Sequence, residues 1–288
     1  STSISVISAM LEASNRNVLV KGGKYLEAVK DADVIVFDKT GTLTNANPQV
    51  QKVTPLNGYS RDEVLRIAAC LEEHFPHSVA NAIVNQAKKE GLVHEEEHAK
   101  VEYIVAHGIA TTLHGLHTVI GSDHFIFEDD GVEKTQELED IITSLEKDGA
   151  GSLIYLAIDN QVAGIISIYD PLKQEAKQVI HELKNLGIQK VVMLTGDCNN
   201  AAKAVANELD LDDYRSSILP EGKASYIQSL KDEGHTVIMV GDGINDTPAL
   251  STANVSISMQ DSSDLARELA DVTLVSSNLN ELVTLRKL

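Results

Sequence analysis

Three aspartates follow apolar, strand-like segments that lie far apart in the 288-residue chain. Asp38 comes directly after Val-Ile-Val-Phe, Asp197 follows a Thr-Gly pair, and Asp242 follows the glycine that closes the third segment. In a parallel α/β sheet the carboxyl ends of the strands meet at one edge, where ligands bind. A single aspartate beside a glycine usually caps a turn, but three such positions favour one shared site.

Asp38 has the residue type and the setting of a carboxylate nucleophile that accepts a phosphoryl group and forms an aspartyl-phosphate. The attack brings two anions together, and Mg²⁺ relieves such repulsion because it prefers carboxylate and carbonyl oxygens. We expect the side chains of Asp38 and Asp242 and the backbone carbonyl of Thr40 to bind this ion. Asp246 would order these ligands from behind. Lys223, near the start of a predicted helix, would neutralise the transferred charge.

Other polar residues of the same loops could hold the phosphoryl oxygens. Thr195 and Gly196 can donate hydrogen bonds to these oxygens, and Asn245 can order the loop that contains Asp242. The expected catalytic residues are Asp38, Thr195, Lys223 and Asp242. The expected phosphate contacts are Lys39, Thr40, Thr195, Gly196, Asp197, Lys223 and Asn245.

The elements around these residues predict two domains. Residues 162–288 alternate strands and helices, which is typical of a parallel sheet with helices on both faces. The strand before Asp38 must join that sheet to bury both of its own faces. The segment Asn-Ala-Asn-Pro at 45–48 breaks the pattern, and the residues after it predict antiparallel strands with a few helices. We therefore predict a doubly wound α/β domain (24–47 and 162–288) with an inserted α+β domain (48–161).

Two stretches carry a family resemblance, Asp-Lys-Thr-Gly-Thr-Leu-Thr at 38–44 and Gly-Asp-Gly-Ile-Asn-Asp-Thr-Pro-Ala-Leu at 241–250. They resemble the heavy-metal-transporting (CPx-type) P-type ATPases, and the predicted sheet resembles the haloacid dehalogenase superfamily. The resemblance implies that the sheet is a phosphorylation domain and that the insert binds nucleotide. It also implies that ATP and Mg²⁺ are required.

Thr40 bears on the kind of phosphoryl chemistry. Soluble phosphatases of the haloacid dehalogenase superfamily usually carry a second aspartate two residues after the nucleophile. Thr40 stands at that position here and cannot act as a general acid or base at neutral pH. The aspartyl-phosphate should therefore persist, as a pump requires.

Within the insert, the segment Phe-Pro-His-Ser-Val-Ala at 75–80 is similar to the Ser-Glu-His-Pro-Leu-Ala signature of the same pumps. The resemblance implies a role for His77 at the adenine. It implies further nucleotide contacts at Gly108 and Gly121, through the family's Gly-x-Gly and Gly-Asn stretches. Separately from the resemblance, a helix is predicted from Lys173 to Leu186, and Lys173 is expected to approach the nucleotide where the two domains meet. His77 could instead be a helix N-terminal histidine that packs on its neighbours.

The resemblance also concerns parts of a pump outside this chain. It implies that residues 1–23 are the cytoplasmic end of a membrane helix and a linker. The actuator domain, the membrane domain and the transported metal cation would then belong to the rest of the same polypeptide. This chain has no apolar run near the roughly 20 residues that a membrane helix needs, so we expect a soluble unit at the cytosolic face of a membrane. Its net charge of −19 argues against a nucleic-acid partner.

Two other functions stay open at this point. A free-standing phosphatase of the same superfamily would turn over small phosphate esters rapidly, and Thr40 argues against it. A non-catalytic nucleotide or metal sensor would bind ATP and form no phosphoenzyme. The transported metal and the direction of transport are not encoded in these residues.

Overall fold

The computed structural model describes residues 3–16, 18–92, 103–105, 108–241, 246–260, 262 and 264–288. The chain divides into unit 1, which is Ser1–Ala46 with Leu172–Leu288, and unit 2, which is Asn47–Pro171. Unit 2 thus interrupts unit 1 in sequence, as expected for an α/β domain with an insert. None of the helices in the described ranges is long and apolar enough to cross a bilayer.

The chain passes through unit 1 twice. The first passage consists of α1 (Ile4–Asn15), β1 (Val18–Val20), α2 (Gly23–Asp31) and β2 (Val34–Asp38). The Ser3 side chain caps α1 by accepting a hydrogen bond from the Val6 N–H at 3.3 Å, as serine does at helix N-termini. After β2 comes a tight turn, Lys39–Leu43, here called the Asp38 turn.

Unit 2 is built on one six-stranded antiparallel sheet with the strand order β3-β8-β7-β6-β5-β4. Its elements in chain order are β3 (Gln49–Pro55), α3 (Arg61–Glu72), α4 (Ser78–Lys89), β4 (Tyr103–Val105), β5 (Gly108–Leu113), β6 (Leu116–Gly121), α5 (Gln136–Lys147), β7 (Ser152–Ile158) and β8 (Gln161–Tyr169). Ser60 and Glu63 form a capping box at the start of α3.

The boundary after unit 2 lies at Pro171–Leu172 rather than at the predicted residue 161. β8 pairs antiparallel with both β3 and β7, so the whole strand belongs to the sheet of unit 2. Asp159 and Asn160, with φ of 52° and 62°, form the two-residue turn between β7 and β8. Two adjacent positive φ values are typical of the turn that joins antiparallel neighbours. The predicted boundary at residue 161 missed this hairpin signal and separated β8 from the insert.

The second passage through unit 1 alternates helices and strands. Its elements are α6 (Ala176–Asn185), β9 (Lys190–Leu194), α7 (Asn199–Glu208), β10 (Asp213–Arg215), α8 (Pro220–Asp232), β11 (Val237–Gly241), α9 (Thr247–Thr252), β12 (Val255–Ser258), α10 (Asp264–Leu269), β13 (Val272–Leu274) and α11 (Asn280–Lys287). The seven-stranded sheet has the order β1-β13-β12-β11-β2-β9-β10. Adjacent strands of this sheet are parallel, except at one edge, where β1 is antiparallel to β13. Residues 18–20 are therefore an edge strand, which corrects the predicted linker.

β2 lies between β11 and β9 and is buried along its whole length. Ile35 and Phe37 pack into one apolar cluster, whereas Val34 and Val36 pack into another. This alternation shows that apolar side chains cover both faces of the strand, which explains its unbroken apolar sequence. The packing fixes β2 in place and so fixes Asp38, its last residue.

Candidate functional site

The register of the central strands determines what lies beside Asp38. Asp38 pairs with Leu194 of β9, so Thr195 follows at the same edge of the sheet. Phe37 pairs with Val240 of β11, which places Gly241 level with Asp38 on the other side. Three segments far apart in sequence therefore end together, as the sequence predicts. The predicted residues Asp242 and Asn245 lie outside the described part of the chain.

The Asp38 turn owes its shape to a glycine and a threonine. Gly41 has φ of 76°, a conformation that glycine adopts without strain. Its N–H donates to Thr44 Oγ1 at 2.9 Å, and the Thr44 N–H donates to the Lys39 carbonyl at 3.2 Å. Thr40 is exposed at the outside of this turn, whereas Thr42 is buried and its hydroxyl has no hydrogen-bond partner among the described residues. The turn thus presents Thr40 beside the end of β2.

Lys223 joins two aspartates at this edge. Its Nζ donates to Asp38 Oδ1 and to Asp246 Oδ1, each at 2.9 Å, and all three side chains are buried. Lys223 lies in the first turn of α8, which Pro220 begins. Gly241 leaves room for Asp246, because a Cβ at that position would lie 3.1 Å from Asp246 Oδ2. Asp246, expected only to support the ligands from behind, contacts the same ammonium as Asp38.

The burial of this cluster shifts the pKa values of its members. Burial raises the pKa of the Asp38 carboxyl well above its usual range, and the negative charge of Asp246 raises it further, against the opposing effect of the Lys223 ammonium. Burial alone would lower the pKa of Lys223, but the carboxylates of Asp38 and Asp246 outweigh it and raise that pKa. Lys223 is therefore a fixed positive charge, and one further cation would favour the ionised form of Asp38.

The cluster has the charge and the donor chemistry of a magnesium site. Two buried carboxylates face one ammonium. The neighbouring cation, Lys39, forms an ion pair with Asp197 instead. The described side chains thus leave an excess of negative charge on oxygen atoms, which Mg²⁺ prefers as ligands. The residues present fit this ion.

The segment Thr195-Gly196-Asp197 forms a second tight turn beside Asp38. Thr195 is buried, and its Oγ1 accepts a hydrogen bond from the Asp197 N–H at 3.1 Å. The Ser217 N–H donates to the Asp197 carbonyl at 2.7 Å and holds the turn from the other side. Asp197 and Lys39, both predicted as phosphate contacts, pair with each other and so connect the two turns.

In unit 2, His77 caps the N-terminus of α4. Its Nδ1 accepts a hydrogen bond from the Ala80 N–H at 3.3 Å, so the proton of the neutral imidazole is assigned to Nε2. Nε2 lies 3.4 Å from Oε2 of Glu72. The position agrees with the alternative interpretation of His77 as a capping residue, and it leaves the ring edge beside Glu72.

Glu72 is a candidate residue that the sequence interpretation missed. Its side chain is 6% exposed, and Oε2 makes no hydrogen bond within the described part of the chain. A buried carboxylate oxygen that makes no hydrogen bond is costly, and the nearby His77 Nε2 at 3.4 Å offsets this cost only in part, so Glu72 is a candidate ligand-binding residue. Ala68 and Leu71, on the buried face of α3, could have revealed it, because Glu72 follows Ala68 by four residues on that face.

Gly108 and Gly121, predicted from the family's separate glycine stretches, are direct cross-strand partners on β5 and β6. A Cβ at Gly108 would overlap the ring of Phe125, which is buried. Glycine at this position is therefore required by the close approach of Phe125. Whether nucleotide also approaches these glycines stays a prediction.

Lys173 is buried, and its Nζ donates to the Ser277 carbonyl at 2.7 Å. Its N–H donates to the Leu43 carbonyl at 2.8 Å. Both partners belong to unit 1. The ammonium that was predicted to approach a nucleotide is thus bonded within unit 1.

The chain is similar to known proteins over most of its length. A family model described as haloacid dehalogenase-like hydrolase matches residues 32–254. The chain is 36% identical over 290 residues to the zinc-exporting P-type ATPase of Mycobacterium marinum, covering 100% of this chain and 39% of that protein. It is 36% identical over 281 residues to copper-transporting ATPase 2 of Rhizobium meliloti, covering 97% of this chain and 33% of that protein.

A solved structure described as the catalytic CPx-ATPase domain CopB-B has a TM-score of 0.75 to this chain at 27% identity. That match covers 100% of both chains. In contrast, the chain spans only 39% and 33% of the length of the two curated relatives.

Proposed function

The chain belongs to the haloacid dehalogenase-like hydrolase family, and we propose that it is the ATP-binding, autophosphorylating part of a heavy-metal cation-transporting P-type ATPase. Asp38 is the residue that becomes phosphorylated. The observation that carries this proposal is the buried cluster at the end of β2, in which Lys223 holds Asp38 beside Asp246. A buried carboxylate that is clustered with other buried charges at the end of a strand is typical of a functional site.

In the proposed reaction a carboxylate oxygen of Asp38 attacks the γ-phosphorus of ATP. The bond between that phosphorus and the β–γ bridging oxygen breaks, and its electron pair leaves with ADP. Lys223 orients the attacking carboxylate through its hydrogen bond to Oδ1 and offsets its negative charge. Because Lys223 also bonds Asp246, its position is fixed from two sides.

Asp38, the Thr40 carbonyl and Asp242 are the residues proposed to hold the magnesium ion, with Asp246 beside them. When bound, Mg²⁺ offsets the charge between the carboxylate and the phosphoryl group. Thr195 and Gly196, on the turn after β9, are proposed to donate hydrogen bonds to the phosphoryl oxygens. Lys39, Asp197 and Asn245 complete the proposed phosphate contacts.

The product is proposed to be a lasting acyl-phosphate. Hydrolysis requires a group that takes a proton from water, and the exposed Thr40 offers a hydroxyl where a phosphatase would offer a carboxylate. The unit therefore holds the phosphoryl group until another part of the protein acts on it. This property favours a pump over a free-standing phosphatase.

The nucleotide is proposed to bind to unit 2, with His77 and Glu72 at the adenine and the glycine pair Gly108 and Gly121 close by. The Nε2–H of His77 and Oε2 of Glu72 lie 3.4 Å apart, and that oxygen makes no hydrogen bond among the described residues. A purine edge offers both hydrogen-bond donors and acceptors and could satisfy them.

The rest of the polypeptide is proposed to supply the actuator and membrane domains, to bind the transported cation and to place this unit at the cytosolic face of the membrane. The zinc-exporting and copper-transporting relatives are equally similar to this chain, at 36% identity each. Metal choice is therefore proposed to lie outside these residues.

The test compares Asp38→Asn with wild type for acid-stable ³²P incorporation from [γ-³²P]ATP and Mg²⁺. Asp210→Asn is the matched control, because Asp210 is 76% exposed and pairs at the surface with Lys177. We expect Asp38→Asn to lose incorporation and keep ATP binding, while the control incorporates normally. Incorporation by Asp38→Asn would contradict the proposal, and rapid hydrolysis of a small phosphate ester by wild type would favour a phosphatase.

A further inference from the structure

The two chain segments that connect the units run side by side in unit 1. The outgoing segment follows the Asp38 turn, and the returning segment begins at Leu172. Thr44 and Leu172 form an isolated antiparallel bridge, and the Lys173 N–H donates to the Leu43 carbonyl at 2.8 Å. The end of the Asp38 turn is therefore bonded directly to the returning segment.

The returning segment is itself attached to the loop before α11. Lys173 is 4% exposed, and its Nζ donates to the Ser277 carbonyl at 2.7 Å. Two residues farther along each segment, the Leu279 N–H donates to Glu175 Oε1 at 3.2 Å. These two hydrogen bonds, here called the Lys173 latch, run in opposite directions between residues 173–175 and 277–279.

The latch is anchored in the core of unit 1. Leu279 is fully buried, and α11 and α6 contribute Leu282 and Val179 to the same apolar cluster as Phe37 of β2. The Asp38 turn is held at its start by β2. At its end the Lys173 N–H bonds the Leu43 carbonyl, and the Leu43 side chain is buried in the same cluster. The latch supports that backbone bond, so loosening it would weaken the support of the Leu43 end while β2 stays in the sheet.

We propose that Lys173 is a positioning residue for the phosphorylation of Asp38 and not a nucleotide contact: its ammonium, bonded to the Ser277 carbonyl, holds its own backbone N–H against the Leu43 carbonyl. The proposal rests on the proposed function, because it concerns the same phosphoryl transfer. Its consequence is that Lys173 affects every phosphoryl donor, including one that carries no nucleotide for unit 2 to bind. Acetyl phosphate is such a donor, since its phosphoryl group can pass to Asp38 with release of acetate.

The experiment measures phosphorylation rates of Lys173→Met with saturating ATP and with acetyl phosphate, together with ATP affinity. Methionine keeps most of the aliphatic stem and removes the ammonium. Lys177→Met is the matched control, because Lys177 lies on the same stretch of chain and is 64% exposed. Glu175→Ala breaks the second bond of the latch and keeps the test decisive if Lys173→Met does not fold.

We expect Lys173→Met to lower the maximal phosphorylation rate about tenfold with both donors, since misplacement of reacting groups by ~1 Å is costly in rate. The ATP affinity of Lys173→Met should stay within about twofold of wild type. Glu175→Ala should lower the phosphorylation rate with both donors by a smaller factor, because it removes a hydrogen bond from one neutral donor. A loss of ATP affinity with normal acetyl phosphate reaction would make Lys173 a nucleotide contact and overturn the proposal. Unchanged rates with both donors would also overturn it. Failure of wild type to form any phosphoenzyme would instead contradict the proposed function.

Discussion

Asp38 and Lys223 are 185 positions apart in the sequence, yet Lys223 Nζ donates to Asp38 Oδ1 at 2.9 Å in a buried site. The same Nζ donates to Asp246 Oδ1. One ammonium therefore offsets two carboxylates, and we expect both the stability of unit 1 and the proposed phosphorylation of Asp38 to depend on this charge.

Removing that ammonium should destabilise the fold. Lys223→Met leaves two buried carboxylates facing each other, and we expect the free energy of unfolding to fall by about 3 kcal/mol at neutral pH, the scale for breaking a buried ion pair. Urea denaturation measures this loss. The same substitution in an Asp246→Asn background should cost clearly less, because one carboxylate is then neutral. Equal costs in both backgrounds would contradict the assigned ion pair.

We expect Glu72 to lower the stability of the nucleotide-free protein and to contribute to nucleotide binding. Glu72→Met removes a buried carboxylate whose Oε2 has no hydrogen-bond partner among the described residues. We expect the free energy of unfolding without nucleotide to rise by about 1 kcal/mol and ATP affinity to fall about tenfold. Denaturation and equilibrium binding measure the two effects.

The matched control is Glu73→Met, at the exposed neighbouring position. It should change neither quantity appreciably. A Glu72→Met protein that binds ATP as wild type does would remove Glu72 from the proposed site.

Gly108 should be intolerant of any side chain. A Cβ at this position overlaps the buried ring of Phe125, so Gly108→Ala should lower the free energy of unfolding by about 2 kcal/mol, as overpacking of a core does. Thermal or urea unfolding measures the loss. In a Phe125→Leu background the alanine should cost less, because leucine leaves space. A cost that is the same in both backgrounds would show that the Phe125 contact is not its cause.

Asp33 should make stability depend on acid pH. Burial pushes the pKa of Asp33 up, but hydrogen bonds from His235 and from the Thr236 N–H outweigh burial and hold that pKa below its usual range. A carboxyl with a lowered folded-state pKa stabilises the protein above its unfolded-state pKa, and the contribution is lost as pH falls through the folded-state value. Asp33→Asn should therefore reduce stability at pH 7 and have little effect well below about pH 4.

Denaturation of wild type and Asp33→Asn across this pH range measures the difference. Asp33 joins the start of β2 to Thr236 and His235 before β11, so the loss should appear in unit 1. A difference between the two proteins that does not change with pH would contradict this origin.

The convergence of Asp38, Thr195 and Lys223 could be predicted from the sequence. Strand ends of a parallel sheet share an edge, and proline followed by Glu-Gly-Lys marks the first turn of a helix. The resemblance to heavy-metal P-type ATPases is confirmed by the zinc-exporting and copper-transporting relatives. Local patterns were sufficient to predict this convergence, because a parallel sheet brings the ends of its strands together even when they are far apart in sequence.

Other features depend on contacts that no local pattern reveals. The bond from Lys223 to Asp246 and the bond from Lys173 to Ser277 join residues that sequence spacing does not relate. The apolar run of β8 suits a buried parallel strand as well as an antiparallel one, so only the turn at Asp159 and Asn160 could have assigned it to unit 2. Helix α6 begins at Ala176 rather than at the predicted Lys173, and Lys173 bonds Leu43 and Ser277 ahead of the helix.

The most direct test identifies the residue that carries the phosphoryl group. Wild-type protein is incubated with ATP and Mg²⁺, treated with borohydride, which reduces an aspartyl-phosphate to homoserine, and analysed by peptide mass spectrometry. We predict homoserine at position 38 and at no other aspartate. Homoserine elsewhere, or phosphate recovered on a serine, threonine or histidine with Asp38 unmodified, would contradict the central claim.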